Sequence, residues 1–216
     1  MEEDTVNDSE NDESSDCETT TAERVLEKLK IAWLNEKFAP EILCHRFDLV
    51  DCMLEQIFVM EKNIKKLKKG DIRFAIHKME IDRIRFILAS YMRTRLEKIE
   101  QYTIHILSEE AQRSPEDGYL TPGELKFAKE YLASIETLFK TVALQHMPNN
   151  FQEFEINNLK IEPNLQSYVF LRAIKEVKVV MPDIETEELV LEVGSQHVVK
   201  YQPIAGLLKE GKVRLI

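Results

Sequence analysis

The sequence predicts a mainly α protein, a four-helix domain followed by a small β-rich domain, and three observations predict it. Apolar residues recur at helical spacing in four segments between residues 22 and 147, each flanked by capping or helix-breaking residues. One of those segments, Asp71 to Leu107, contains no proline or glycine. As a single helix of about 37 residues it would run roughly 55 Å, longer than a small domain is wide. After residue 163 the pattern changes to short β-branched runs bounded by turn residues.

The first helix is expected from the capping box Thr20-Thr21-Ala22-Glu23, with Thr20 as the cap. Val25, Leu26, Leu29, Ala32 and Trp33 lie on one of its sides, and it breaks at Phe38-Ala39-Pro40, because proline disfavours helical geometry in the residue before it. A second helix is predicted from about Asp48 to Lys68, with Val50, Leu54, Ile57, Phe58, Ile64 and Leu67 at helical spacing. Its end carries Lys65, Lys66, Lys68 and Lys69 before Gly70, which suits the helix dipole and a glycine cap better than a nucleic-acid patch.

The long third helix has two apolar stripes in its first half. Ile72, Ala75, Ile76, Met79, Phe86 and Ile87 form one; Phe74, Ile81, Ile84, Leu88, Tyr91 and Met92 form another, broadly opposite. A helix on the outside of a monomer needs only one stripe, so this one requires cover from two sides. Neighbouring helices supply one cover, and the other points to a second protein. Arg83, Arg85, Arg93 and Arg95 lie in the same helix, either as stems over apolar surface or as interface residues.

A polar loop from Ser108 to Leu120, containing Pro115-Glu116-Asp117-Gly118, ends that helix. Thr121-Pro122-Gly123-Glu124 starts a fourth by a hydroxyl cap, proline in the first turn and glutamate at the third position. Its stripe is Leu125, Ala128, Leu132, Ile135, Phe139 and Val142, and it stops at His146-Met147-Pro148. The strands that follow are expected at 168–171, 177–180, 188–193, 197–201 and 212–216, with Gly194-Ser195 as a hairpin connection and a helical turn over 203–208. The domain limits are therefore an acidic disordered tail at 1–21, a helical domain at 22–150, a linker at 151–163 and a β-rich domain at 164–216. The last is too small to be comfortably stable without a neighbour.

The net charge of −10 is localised. Residues 1–21 hold nine acids and no base, and removing them leaves 30 acids against 29 bases. A nearly neutral body gives no support for an extensive phosphate-binding surface, so strong direct nucleic-acid binding is not expected. The tail has no aromatic residue and too little apolar surface to order itself. Thr5-x-x-Asp8, Ser9-x-x-Asp12 and Ser15-x-x-Glu18 in it would suit an acid-directed kinase. Three cysteines, Cys17, Cys44 and Cys52, show no disulfide spacing, and no signal peptide or long apolar run is present. A reducing compartment and no membrane partner are expected.

Catalytic patterns fail on inspection. Gly206-Leu-Leu-Lys-Glu-Gly211-Lys212 has the glycines and lysine of a phosphate loop, but Val213 replaces the hydroxyl residue and no helix can follow. A di-iron bundle needs glutamate three residues before histidine, and Ile42, Phe74, Tyr102, Ala143 and Gly194 stand there instead. Cys44-His45 with Cys52 reads as structural rather than as a metal site. No enzyme, cofactor or metal is expected.

Several segments together resemble a known family. They are Ala32-Trp33-Leu34-Asn35-Glu36-Lys37-Phe38-Ala39-Pro40, Ile76-His77-Lys78-Met79-Glu80-Ile81-Asp82-Arg83-Ile84-Arg85-Phe86 and Val142-Ala143-Leu144-Gln145-His146-Met147-Pro148, followed by Ser167-Tyr168-Val169-Phe170-Leu171-Arg172 and Gly194-Ser195-Gln196-His197. In this order they resemble the GINS family of replication factors, in its Sld-five branch, over about residues 22–216. The resemblance implies a helical domain before a small β-rich one, and a nuclear heterotetramer with three other GINS subunits. It implies that this tetramer joins the Mcm two-to-seven ring and the Cdc-forty-five protein in the replicative helicase, with DNA polymerases and a replisome hub as further contacts. Some relatives dock on that hub through a leucine-containing acidic helix, but this tail has no leucine before Leu26. A scaffold or adaptor subunit of another nuclear complex is the alternative. The subunit interface is expected at Ile76, Met79, Arg83, Ile84, Arg85 and Leu88 on the long helix, with Tyr168, Val213, Leu215 and Ile216 of the β-rich domain.

Overall fold

The computed structural model describes residues 21–67, 70–113, 118–148, 159–180 and 188–216. The acidic segment 1–20, with its kinase motifs, lies outside the described residues, as do Lys68, Lys69, Pro115-Glu116-Asp117 and linker residues 151–158.

Four helices come first: α1 (Ala22–Phe38), α2 (Phe47–Ile64), α3 (Ile72–Glu110) and α4 (Pro122–Val142). Thr21, one residue later than expected, caps α1. The capping box of α4 is formed as read: Thr121 Oγ1 accepts from the Glu124 amide while the Glu124 carboxylate accepts from the Thr121 amide at 2.9 Å. Asp71 caps α3 by accepting from the Arg73 amide at 2.9 Å, and Gly70 takes the left-handed φ of +105° that closes the preceding turn. Near its far end α3 is kinked at Tyr102 (φ −116°, ψ 25°). The next residue supplies the cause, since Thr103 Oγ1 donates to the carbonyls of Ile99 and Glu100 and so competes with the helix's own ladder.

The helices bury two clusters. Val25, Leu26 and Leu29 of α1, Val50, Met53 and Ile57 of α2, and Ile81, Ile84, Ile87, Leu88 and Tyr91 of α3 form the larger one. Ile99 and Ile106 of α3, Ala128 of α4, Leu120 and Ile42 form the other. In α2 the inward row runs through Met53 rather than through Leu54 and Phe58, which are exposed. Trp33 fixes α1 on α3: its indole N–H donates to Ser90 Oγ at 2.9 Å and its ring meets Phe86 edge-on at 6.3 Å.

The C-terminal region is a small antiparallel β structure: β1 (Tyr168–Ala173), β2 (Val177–Val180), β3 (Glu188–Leu191), β4 (Gln196–Lys200), α5 (Tyr201–Lys209) and β5 (Val213–Leu215). One sheet has the order β4-β1-β5, and β2-β3 form a separate ribbon. Gly194-Ser195 therefore does not close a hairpin. It carries the chain from the ribbon to the three-stranded sheet, with Gly194 at φ +85° and its amide bonded to the Ala173 carbonyl. The fold is thus a helical domain followed by a small β-rich domain. The α1–α2 loop belongs partly to the second of these, because Ala39 and Leu43 pack into the β-domain core with Leu171, Tyr201, Ile204 and Leu215.

Candidate assembly surface

The first half of α3 has an inner and an outer apolar row. Ile81, Ile84 and Leu88 are each 3% exposed beneath α1 and α2, whereas Ile72 is 74%, Ile76 57%, Met79 72% and Phe86 63% exposed. Ile87 alone of the outer stripe turns inward. Arg83 stands among the outer residues, and Arg85, two residues on, lies on the flank toward α2. Arg83 Nε donates to Glu80 at 2.9 Å, and this hydrogen bond lowers the Glu80 carboxyl below its ordinary value and raises the guanidinium. Arg85 bonds Glu61 of α2 and lies 3.9 Å from Asp82. Both arginines remain on the surface, paired within the chain.

Of the residues expected at a subunit interface, Ile76, Met79 and Arg83 share this outer face, Arg85 lies on the flank of α3 that meets α2, and Tyr168 and Ile216 are exposed on the three-stranded sheet. Four others are corrected. Ile84 and Leu88 serve the helical core, and Val213 and Leu215 are buried in the β-domain core. Strand alternation explains the last two, since 213 and 215 point inward and 214 and 216 outward. A further apolar surface lies on the last turns of α4, where Leu138 is exposed together with Phe139 and Val142 of the expected buried stripe.

Sequence reasoning missed a buried ionic cluster where α1, α3 and α4 meet. Arg95 has no exposure. Its Nε donates to Glu124 Oε1 at 2.7 Å and its Nη1 to Glu36 Oε2 at 3.2 Å, and it also reaches the carbonyls of Leu43 and Tyr119. One turn on, Lys98 Nζ donates to Glu36 Oε1 at 2.9 Å and to the Glu41 carbonyl at 2.8 Å. Two cations thus face two buried carboxylates, which satisfies the requirement that buried charges be paired. Burial alone would lower the Arg95 pKa, but its bond to Glu124 and the charges of Glu36 and Glu124 raise it above its ordinary value. Burial would raise Glu124, and the Arg95 bond overcomes this to hold it low; for Lys98 burial wins and the pKa falls. The signal was present in the sequence: Ile84, Leu88, Tyr91, Arg95 and Lys98 follow one another at helical spacing, so the two cations continue the inner row.

This cluster is joined to the β domain. Buried Tyr201 of α5 donates to Glu41 Oε1 at 2.9 Å, Lys209 Nζ donates to Tyr119 Oη at 2.9 Å, and Asn35 Oδ1 accepts from the Leu215 amide at 2.9 Å. Burial, then the neighbouring Glu41 charge, pushes the Tyr201 phenol far above its ordinary value, so it stays a donor. Tyr201→Phe removes one hydrogen bond to a charged acceptor and is expected to destabilise the chain by about 2 kcal/mol. The measurement is the urea midpoint, with m unchanged.

Among the described residues no group of three or more His, Cys, Asp or Glu side chains is arranged to hold a metal ion. Cys44 and Cys52 are free and exposed. Gly206 to Lys212 spans the end of α5 and a turn in which Lys212 pairs with Glu210 at 2.6 Å, which is no phosphate loop. Among the described residues no helix is long and apolar enough to cross a membrane.

The architecture defines a class, a helical bundle domain carrying a small C-terminal antiparallel β domain, with apolar faces left on its helices. Two family profiles match that division: GINS complex protein helical bundle domain at residues 53–143, and DNA replication complex GINS protein SLD5 C-terminus at residues 163–216. The chain is 46% identical over 202 residues to the mouse DNA replication complex GINS protein SLD5, covering 91% of each chain. It is 45% identical to the Xenopus laevis relative over 207 residues, covering 93% of this chain and 94% of that one. Against the Arabidopsis thaliana relative it is 32% identical over 216 residues, covering 94% and 96%. The chain belongs to the Sld5 family of GINS complex proteins, which take part in DNA replication.

Proposed function

We propose that this chain is a non-catalytic structural subunit of a nuclear heterotetramer formed with three other GINS subunits. In this reading the tetramer joins the Mcm ring and the Cdc-forty-five protein to form the replicative helicase, and ATP hydrolysis belongs to the ring. The observation that carries the proposal is the outer row of α3. Ile72, Ile76, Met79 and Phe86 make an apolar strip beside Arg83, and large exposed apolar patches mark interaction sites. Arginine next to such a strip fits a protein seam, where its stem packs and its fork pairs.

Co-expression with the three other subunits followed by sizing chromatography tests this. The chain is expected to elute as one monodisperse assembly with them, and to aggregate or self-associate alone. A cooperatively folding monomer at micromolar concentration that fails to co-elute with the other subunits contradicts the reading.

A further inference from the structure

The α3 strip leaves unexplained a second exposed face, on the sheet β4-β1-β5. Register and alternation put eight side chains on it: Tyr168, Phe170 and Arg172 from β1, Gln196, Val198 and Lys200 from β4, and Arg214 and Ile216 beside β5. Two aromatic rings occupy positions i and i+2 of the central strand and are 67% and 64% exposed. Lys200 stands opposite Tyr168, Arg214 stands opposite Arg172, and Phe170 lies between Val198 and Ile216. None of these eight side chains is acidic. Arg172 and Arg214 pair with no carboxylate among the described residues, in contrast to Arg83, Arg85, Arg95 and Arg113.

We propose that the outer face of this sheet is a stacking platform for single-stranded DNA, with Tyr168 and Phe170 under successive bases and Arg172 and Arg214 toward the phosphates. Aromatics two apart on the central strand of an open sheet are the arrangement by which sheet platforms stack bases, and every base has a ring face, so such binding tolerates sequence. The charge pattern agrees: Arg172 and Arg214 stand side by side at one end of the aromatic row, where a backbone leaving two stacked bases would pass. The body as a whole is nearly neutral, so the site is local and of modest affinity, and it contributes when the DNA is already held nearby.

The test uses the co-expressed four-subunit assembly and a labelled oligothymidine of about 20 nucleotides, followed by fluorescence anisotropy across salt concentrations. Tyr168→Ala with Phe170→Ala is expected to weaken binding about tenfold or more. Arg172→Ala with Arg214→Ala is expected to weaken it and to flatten the dependence of log affinity on log salt by about 1.4, the share of two phosphates on a single strand. Neither pair alters circular dichroism, because all four side chains leave the domain core untouched. Unchanged affinity in both pairs overturns the proposal, as does equally tight binding of a duplex. Loss of a subunit on sizing chromatography in either pair also overturns it, because the face then belongs to a protein seam.

Discussion

Replacing Arg95 with Ala is expected to destabilise the chain by about 3–5 kcal/mol, because it strands the carboxylates of Glu36 and Glu124 in a buried site with one cation left between them. The effect exceeds that of an exposed ion pair such as Arg83–Glu80, where median values are about 0–1 kcal/mol. Arg95→Ala is therefore expected to melt far below Arg83→Ala in thermal denaturation, with both compared to the parent chain in the same assembly. Acid sharpens the contrast. The Glu124 pKa is depressed in the folded state, so its contribution is complete above its unfolded value near 4.5 and is lost as pH falls through the lower folded value. Glu124→Gln should remove that acid-sensitive component and leave the rest of the pH profile in place. Because Arg95 also reaches the carbonyls of Leu43 and Tyr119, its loss loosens the loop on which the β domain is seated.

Aspartate substitutions on the two rows of α3 are expected to have opposite consequences. Ile84→Asp buries a carboxylate without a partner among Leu29, Met53 and Leu88, at a cost of several kcal/mol, and should abolish the fold. Met79→Asp places the same group on the exposed row, where it is solvated in the free chain and meets an apolar partner only on assembly. Helical content of the co-expressed chain should fall for Ile84→Asp and stay for Met79→Asp, while both should lose the four-subunit peak. Arg85→Ala is milder, since its pairs with Glu61 and Asp82 lie within this chain.

The limits of most helices and strands are set by residues close in sequence and were legible to within a few residues, although α2 ends at Ile64 rather than Lys68 and β3 at Leu191 rather than at residue 193. Pro40 ends α1, Thr121 to Glu124 open α4, Gly70 and Asp71 separate α2 from α3, and the β-branched runs after residue 163 are strands. Three features depend on distant partners and were not. Both stripes of α3 are apolar, and only the packing of α1 and α2 decides that Ile84 and Leu88 face inward and Ile76 and Met79 outward. In the same way, Leu54 and Phe58 face away from the core because α2 is turned so that Met53 fills it. Gly194-Ser195 looks like a hairpin turn locally, but β1 takes β4 as its partner and leaves β3 to β2. Arg95 was grouped with the surface arginines because a charge on an apolar row reads as solvated unless its counter-ions are known, and Glu36 and Glu124 are 59 and 29 residues away in sequence.

The most direct measurement is hydroxyl-radical footprinting of the assembled complex, read by mass spectrometry at single methionines. Met79 is 72% exposed in the chain and Met53 is 1%, so the two bracket the scale. If the outer row of α3 is the seam, Met79 in the four-subunit assembly should oxidise as slowly as Met53, and quickly again in the chain alone. Met79 oxidising at the same rapid rate inside the assembly as outside it would show that another surface holds the subunits together.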